Sequence, residues 1–146
     1  MIFLIFTLFE NPFGIDTLLL KALILTENPQ MIVNAKHRNK NGTTDYGLGQ
    51  INTVWVKGLS LDTLKLLYNP HYNIYYTAYI LYTKIQRYGN TWLAVGRYHS
   101  ANPLYALPYS LKVRRIYEKL LKQGRNNDKK KDNILIHTPV SFDYTD

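Results

Sequence analysis

The chain has no cysteine among its 146 residues. Disulfide staples and thiolate metal sites are therefore excluded. Its four histidines, His37, His71, His99 and His137, fall at no metal-ligand spacing, and no His-Glu-x-x-His helix occurs; neither a metal nor a cofactor is expected. A phosphate-cradling glycine loop and a Gly-x-Ser-x-Gly elbow are also missing. Long hydrophobic runs are lacking too. The N-terminal stretch MIFLIFTLF has eight apolar residues in nine, far short of the roughly 20 that a bilayer span requires. It resembles the apolar core of a signal peptide but lacks a basic leading segment and a small-residue cleavage site. The preferred expectation is a short helix or extended segment, residues 1–12, closing over the core.

Negative charge is scarce. Basic residues number 18 against 10 acidic, a net charge of +8. From Gly124 onward the signs balance, with Arg125, Lys129, Lys130 and Lys131 against Asp128, Asp132, Asp143 and Asp146. Residues 1–123 therefore carry the excess, at 14 basic against 6 acidic. A basic body suits an anionic partner: nucleic acid, a membrane surface or an acidic polymer such as cell wall. Most of the six acids have an evident structural task. Asp16 and Asp62 precede TLLL and TLKLL and read as helix caps. Glu118 can pair with Lys122 at i,i+4, and Glu10 lies in a turn with Asn11-Pro12. Glu27 and Asp45 are left over.

What is present reads as a mostly α chain. Asp16 starts a helix whose Leu18, Leu19, Ala22, Leu23 and Leu25 form a broad apolar surface. Asn28-Pro29 stops it, because a residue before proline is pushed out of the α region. Residues 34–44, NAKHRNKNGTT, form a polar loop or a small hairpin turning at Asn41-Gly42. Its basic cluster, Lys36, His37, Arg38 and Lys40, lacks interleaved stacking aromatics, and a solvated loop is the commoner reading. Ile51–Trp55 begins a short helix that carries Trp55 into the core. A second short helix covers Asp62–Leu67 and ends at Asn69-Pro70. Tyr72–Tyr88 is a long helix with a core stripe at Ile74, Ala78, Leu81 and Ile85, flanked by Tyr75, Tyr79 and Tyr82, and closed by Gly89-Asn90. Trp92–Ala101 and Tyr109–Leu121 are further helices, the last with Leu111, Val113, Ile116, Tyr117, Leu120 and Leu121 as core candidates. No strand pattern competes in the body. After Gly124 the run GRNNDKKKDN reads as flexible, and ILIHTPVSF beyond it as a strand-like or docking segment or as disorder.

Two carboxylates flanking a polar loop are what glycosidic cleavage needs. Glu27 falls in the last turn of its helix, where the dipole disfavours an anion. If it is also buried, both effects hold its proton on, and a neutral carboxyl near neutral pH can protonate a leaving oxygen. The bland alternative is a frayed surface acid. For Asp45 the bland alternative is a cap that accepts from the amides of Gly47 or Leu48.

Ala22-Leu23-Ile24-Leu25-Thr26-Glu27-Asn28 resembles the "A-I-x-x-E-S" helix end of the small lytic transglycosylases with a lysozyme-like (goose-type) fold, above all those of type IV secretion and conjugation machines. Asp45-Tyr46-Gly47-Leu48-Gly49-Gln50-Ile51-Asn52 matches their "D-x-G-L-M-Q-I-N". Asn73-Ile74 and Ala78 to Leu81 match "N-I-x-x-G-A-x-x-L". Tyr88-Gly89, Trp92, Ala94-Val95-Gly96 and Tyr98-His99 match "Y-G-x-x-W-x-A-V-G-A-Y-N-A-G". Tyr109 and Val113 match a late "Y-x-x-x-V". The likeness runs in order over residues 13–121. Residues 41–52 are also similar to the "S-T-D-Y-G-I-L-Q-I-N" of c-type lysozymes, which places a second catalytic carboxylate at Asp45.

The resemblance implies a catalytic domain over residues 13–123, with residues 124–146 as a flexible tail. It implies cleavage of peptidoglycan between N-acetylmuramic acid and N-acetylglucosamine to 1,6-anhydro products. Glu27 would serve as acid and then base, with Asp45 as a second carboxylate that stabilises positive charge. Gln50, Asn52, Tyr98, His99 and Tyr109 would hold the sugar. It further implies a single copy acting on glycan strands in the periplasm or cell envelope, with secretion-system proteins as companions and no nucleic acid. Gly49, Thr77, Arg97, His99 and Ala101 depart from the pattern, at positions where the family carries Met, Gly, a small residue, Asn and Gly. The loss of Met beside the cleft should loosen substrate contacts. The alternatives are a hydrolytic muramidase using Glu27 and Asp45, a wall-binding or scaffold module without activity, and a basic nucleic-acid-binding domain.

Overall fold

The computed structural model describes residues 2–130, with side chains from Leu4 to Asn127. The chain divides into two units, Met1–Ile80 and Leu81–Asp146.

The first unit opens with α1, Ile2–Thr7, which buries Phe6 and leaves Leu4 and Leu8 exposed. The Asn11 to Gly14 turn closes with Gly14 N donating to the Asn11 carbonyl at 3.3 Å. Asp16 then caps α2, Thr17–Glu27, by accepting from the amides of Leu18 and Leu19. The buried surface of α2 is Leu19, Leu20, Ala22, Leu23 and Ile24. Leu18 and Leu25, expected in the core, are half-buried, because helical periodicity cannot say which edge of a broad apolar surface a neighbour covers.

The polar loop is a hairpin. Strands β1, Lys36–Arg38, and β2, Thr44–Tyr46, pair antiparallel. Asn39 N donates to the Thr43 carbonyl at 2.8 Å across the turn. A third strand, β3, Ile51–Asn52, pairs with β2 and completes the order β1-β2-β3. Two residues carry no period, so β3 was not readable from sequence, and Ile51 belongs to it rather than to a helix. Asn52 caps the helix that follows, α3, Thr53–Gly58, where Trp55 is half-buried rather than core. Asp62 caps α4, Thr63–Tyr68.

Helix α5, Pro70–Tyr88, spans the division between the units. Its buried positions are Asn73, Ile74, Thr77, Ala78, Ile80 and Leu81, while Ile85 is half-buried. Phe13 packs against Tyr75 and Tyr79, with ring centroids 5.2 and 5.7 Å away. In the second unit Thr91 caps α6, Trp92–His99. Helix α7, Pro103–Lys130, packs against it. α7 begins before the expected Tyr109 because Asn102 caps it, accepting from Leu104 N at 3.0 Å, and Pro103 occupies the first turn, where no amide is needed. Pro108 lies inside the helix, exposed to solvent. The helix also runs through Gly124, where the tail was expected to start. Ala106, Tyr109, Ser110, Val113 and Tyr117 are its buried face, and Leu111 is 51% exposed rather than core. Glu118 pairs with Arg114 at 2.9 Å, not with Lys122; both lie one turn away, and the guanidinium is the one engaged. The ILIHTPVSF segment lies outside the described residues. No described helix is long and apolar enough to cross a membrane.

Candidate active site

Glu27 closes α2. Asn28 follows with its amide on the Ile24 carbonyl at 2.8 Å. The Asn28 side chain then spans the next turn, donating to the Ile32 carbonyl at 2.8 Å and accepting from Ile32 N at 3.1 Å. Buried to 6% exposure, Asn28 fixes the chain as it leaves the helix. The outcome is a pocket of about 310 Å³ lined by Glu27, Asn28, Pro29, Gln30, Ala35 and Gln50. Half-buried, Glu27 stands on its wall at the carbonyl end of α2, where the helix dipole is negative.

Gln50 reaches this wall through a tight turn. Gly47 has φ +71° and Gln50 φ +48°, the second a conformation that costs a residue with a Cβ of order 1 kcal/mol. The Gln50 side chain donates to the Gly47 carbonyl at 2.8 Å, and Gly47 N donates to the Ala35 carbonyl at 2.7 Å. A Cβ on Gly47 would come within 2.3 Å of the Leu66 carbonyl oxygen, so only glycine fits.

Asp45 has different surroundings. It lies in the middle of the sheet, opposite His37 on one side and Asn52 on the other. One carboxylate oxygen accepts from the Asn52 side-chain amide at 2.6 Å and the other from that of Asn39 at 2.9 Å. The same two amides donate to Thr43 Oγ1, and Asn52 Oδ1 caps Val54 N. Asp45 is thus the hub of a polar cluster joining the hairpin turn to β3 and α3. It accepts from side chains rather than from the Gly47 or Leu48 amides. Neither Asp45 nor Asn52 lines the Glu27 pocket.

In the second unit, exposed His99 stacks on buried Tyr109, with ring centroids 4.7 Å apart and planes 5° from parallel. Tyr98 is half-buried beside it on α6. Arg97 holds its guanidinium 5.3 Å from the Tyr88 ring centroid, a use of its charge that is internal to this unit. Gly96 admits the α7 backbone: a Cβ there would sit 2.6 Å from the Ala106 carbonyl oxygen.

The model of the transglycosylase SLT domain matches residues 8–102. The chain belongs to the SLT transglycosylase family. SLT proteins share a lysozyme-like fold, and this one is accordingly a helical, glycosidic-bond-cleaving enzyme of the lytic transglycosylase class whose substrate is peptidoglycan and whose place of action is the cell envelope. The invasion protein IagB of Salmonella typhi is 30% identical over 135 residues, covering 88% of this chain and 84% of that protein. IagB of Salmonella typhimurium is 35% identical over 94 residues, 62% of this chain and 58% of that one. The protein IpgF of Shigella flexneri is 28% identical over 125 residues, 81% of this chain and 82% of its own length.

Sequence reasoning missed two residues around the SLT pocket. From sequence Asn28 reads as a helix stop and as the end of the acid motif, although an asparagine before proline can also clamp the next turn with its side chain. Asn73 was read only as part of a motif. It is fully buried, and a polar residue in a core position is itself a signal that its hydrogen bonds matter.

Proposed function

We propose that this protein is a peptidoglycan lytic transglycosylase in which Glu27 supplies both acid and base. Glu27 protonates the glycosidic oxygen between N-acetylmuramic acid and N-acetylglucosamine as the bond to the muramyl anomeric carbon breaks. The substrate's own acetamido group stabilises the cation. The Glu27 carboxylate then takes the proton of the muramyl 6-hydroxyl, whose oxygen closes the 1,6-anhydro ring. No water is consumed, and Glu27 ends as it began. Gln50, which lines the same pocket, orients the sugar. The observation that carries this reading is the division of the two acids: Glu27 lines a pocket with Gln50, whereas both Asp45 oxygens are engaged by Asn39 and Asn52. A brace of that kind has little left to offer a reacting sugar.

Its similarity to proteins named for invasion supports a second step in the reading. The enzyme acts in the periplasm, as a single copy, opening the wall locally for a secretion or conjugation machine. Mass spectrometry of muropeptides after digestion of purified peptidoglycan tests the chemistry. Anhydro ends are expected. Reducing ends, heavier by one water, would assign a hydrolytic muramidase using Asp45, and no release at all would leave a wall-binding module.

A further inference from the structure

Two departures from the family pattern meet in space. Gly49 and Thr77 are far apart in sequence, yet a Cβ built on Gly49 would lie 1.9 Å from Thr77 Oγ1 and under 3.0 Å from two more Thr77 atoms. No side chain fits at 49 while Thr77 stays where it is. Thr77 is fully buried on α5 and donates its hydroxyl to the Asn73 carbonyl at 2.8 Å, with Oγ1 3.3 Å from Asn73 Oδ1.

Asn73 carries the link onward. Its Oδ1 accepts from Gly49 N at 2.8 Å, and its Nδ2 donates to the carbonyls of Tyr46 and Leu66, each at 2.9 Å. One buried side chain thus grips the turn at both ends, at Tyr46 before Gly47 and at Gly49 just before Gln50. Gln50 then adopts φ +48°, a conformation that persists only where the surroundings over-determine it.

We propose that Asn73 and Thr77 are positioning residues for Gln50: a buried strut on α5 that holds the Gly47–Gln50 turn and sets the Gln50 wall of the Glu27 pocket. Thr77 fills the space in which a side chain at 49 would otherwise lie, and it fixes the Asn73 side chain by packing and by the short hydroxyl contact. The inference rests on the proposed catalytic reading of that pocket.

The test is a cycle of Gly49→Ala, Thr77→Gly and the double variant, each assayed for peptidoglycan cleavage well below its melting temperature. Gly49→Ala drives a methyl into Thr77 and is expected to lower kcat about tenfold or more in a folded protein, because displaced positioning groups are costly. The double variant is expected to recover most of that loss. A folded Gly49→Ala enzyme with wild-type kcat would overturn the strut, as would a double variant no faster than Gly49→Ala. Thr77→Val, which keeps the shape and removes the hydroxyl, covers the case in which a glycine within α5 prevents folding. Its Gln50 side-chain amide resonances should shift in NMR spectra, and unchanged resonances would overturn the inference. A wild-type protein that cleaves nothing would overturn the proposed function alone, since those resonances still report whether Thr77 positions Gln50.

Discussion

Glu27 and Asp45 are the two acids with no evident structural task in the sequence, and they meet opposite fates in the fold. Glu27 ends a helix and faces a pocket whose remaining lining is neutral. Asp45 sits mid-sheet with amide donors on both oxygens. The lesson is that where the chain places an acid, on a cavity wall or inside a bonded cluster, sets what it can reach. Carboxylates joined to firm donors organise a loop. At a helix end, on a cavity wall, a carboxyl lies within reach of something that enters and can exchange a proton with it.

The sharpest way to break this contrast is Glu27→Gln, which should keep the fold and lower peptidoglycan turbidity clearance by at least ~10²-fold; a folded variant that clears at the wild-type rate would remove Glu27 from the chemistry. Next comes Asn28→Ala. It deletes both bonds to Ile32 and should lower the melting temperature by a few degrees, for a loss of roughly 1–3 kcal/mol. Clearance should fall with it, since the pocket wall moves. Asp45→Asn should slow cleavage only several-fold, about the effect of one weakened hydrogen bond, and leave anhydro ends dominant. A loss as deep as that of Glu27→Gln, with reducing ends in the wild-type digest, would make Asp45 a reacting group. The smallest effect is expected from Asn39→Ala, which removes one donor from Asp45. It should cost about 1 kcal/mol in chemical denaturation and leave turnover within roughly twofold of wild type, well inside the range of surface changes.

Local signals were the legible part of this fold. Asp16, Asp62, Asn69-Pro70 and Gly89 mark element ends through rules that act within a few residues, and the structure has its boundaries there. Glu27 was legible for the same reason, as the last residue before Asn-Pro. What could not be read depends on partners distant in sequence. β3 exists because β2 offers it a ladder. Asp45 is a hub because Asn39 and Asn52 come together around it, and Asn73 serves a turn more than twenty residues before it. Where local rules pointed the wrong way, an alternative partner lay one turn off, as with Glu118 and Arg114. The start of α7 differs as well: expected at Tyr109, the helix begins at Pro103 behind the Asn102 cap and carries Pro108 within it.

The fit of Thr77 into the space beside Gly49 also constrains the history and the future of the sequence. A lineage with a side chain at 49 could not have accepted threonine at 77 first, because the two would overlap. Glycine had to come first, or both together. Once threonine is in place the step is locked, since every reversal at 49 alone meets the same overlap. A scan of single substitutions would therefore record position 49 as intolerant of all change, while the same scan in a background with glycine at 77 would find it open. The restriction belongs to the pair, and a library meant to widen this enzyme's substrate range has to vary 49 and 77 in the same clone.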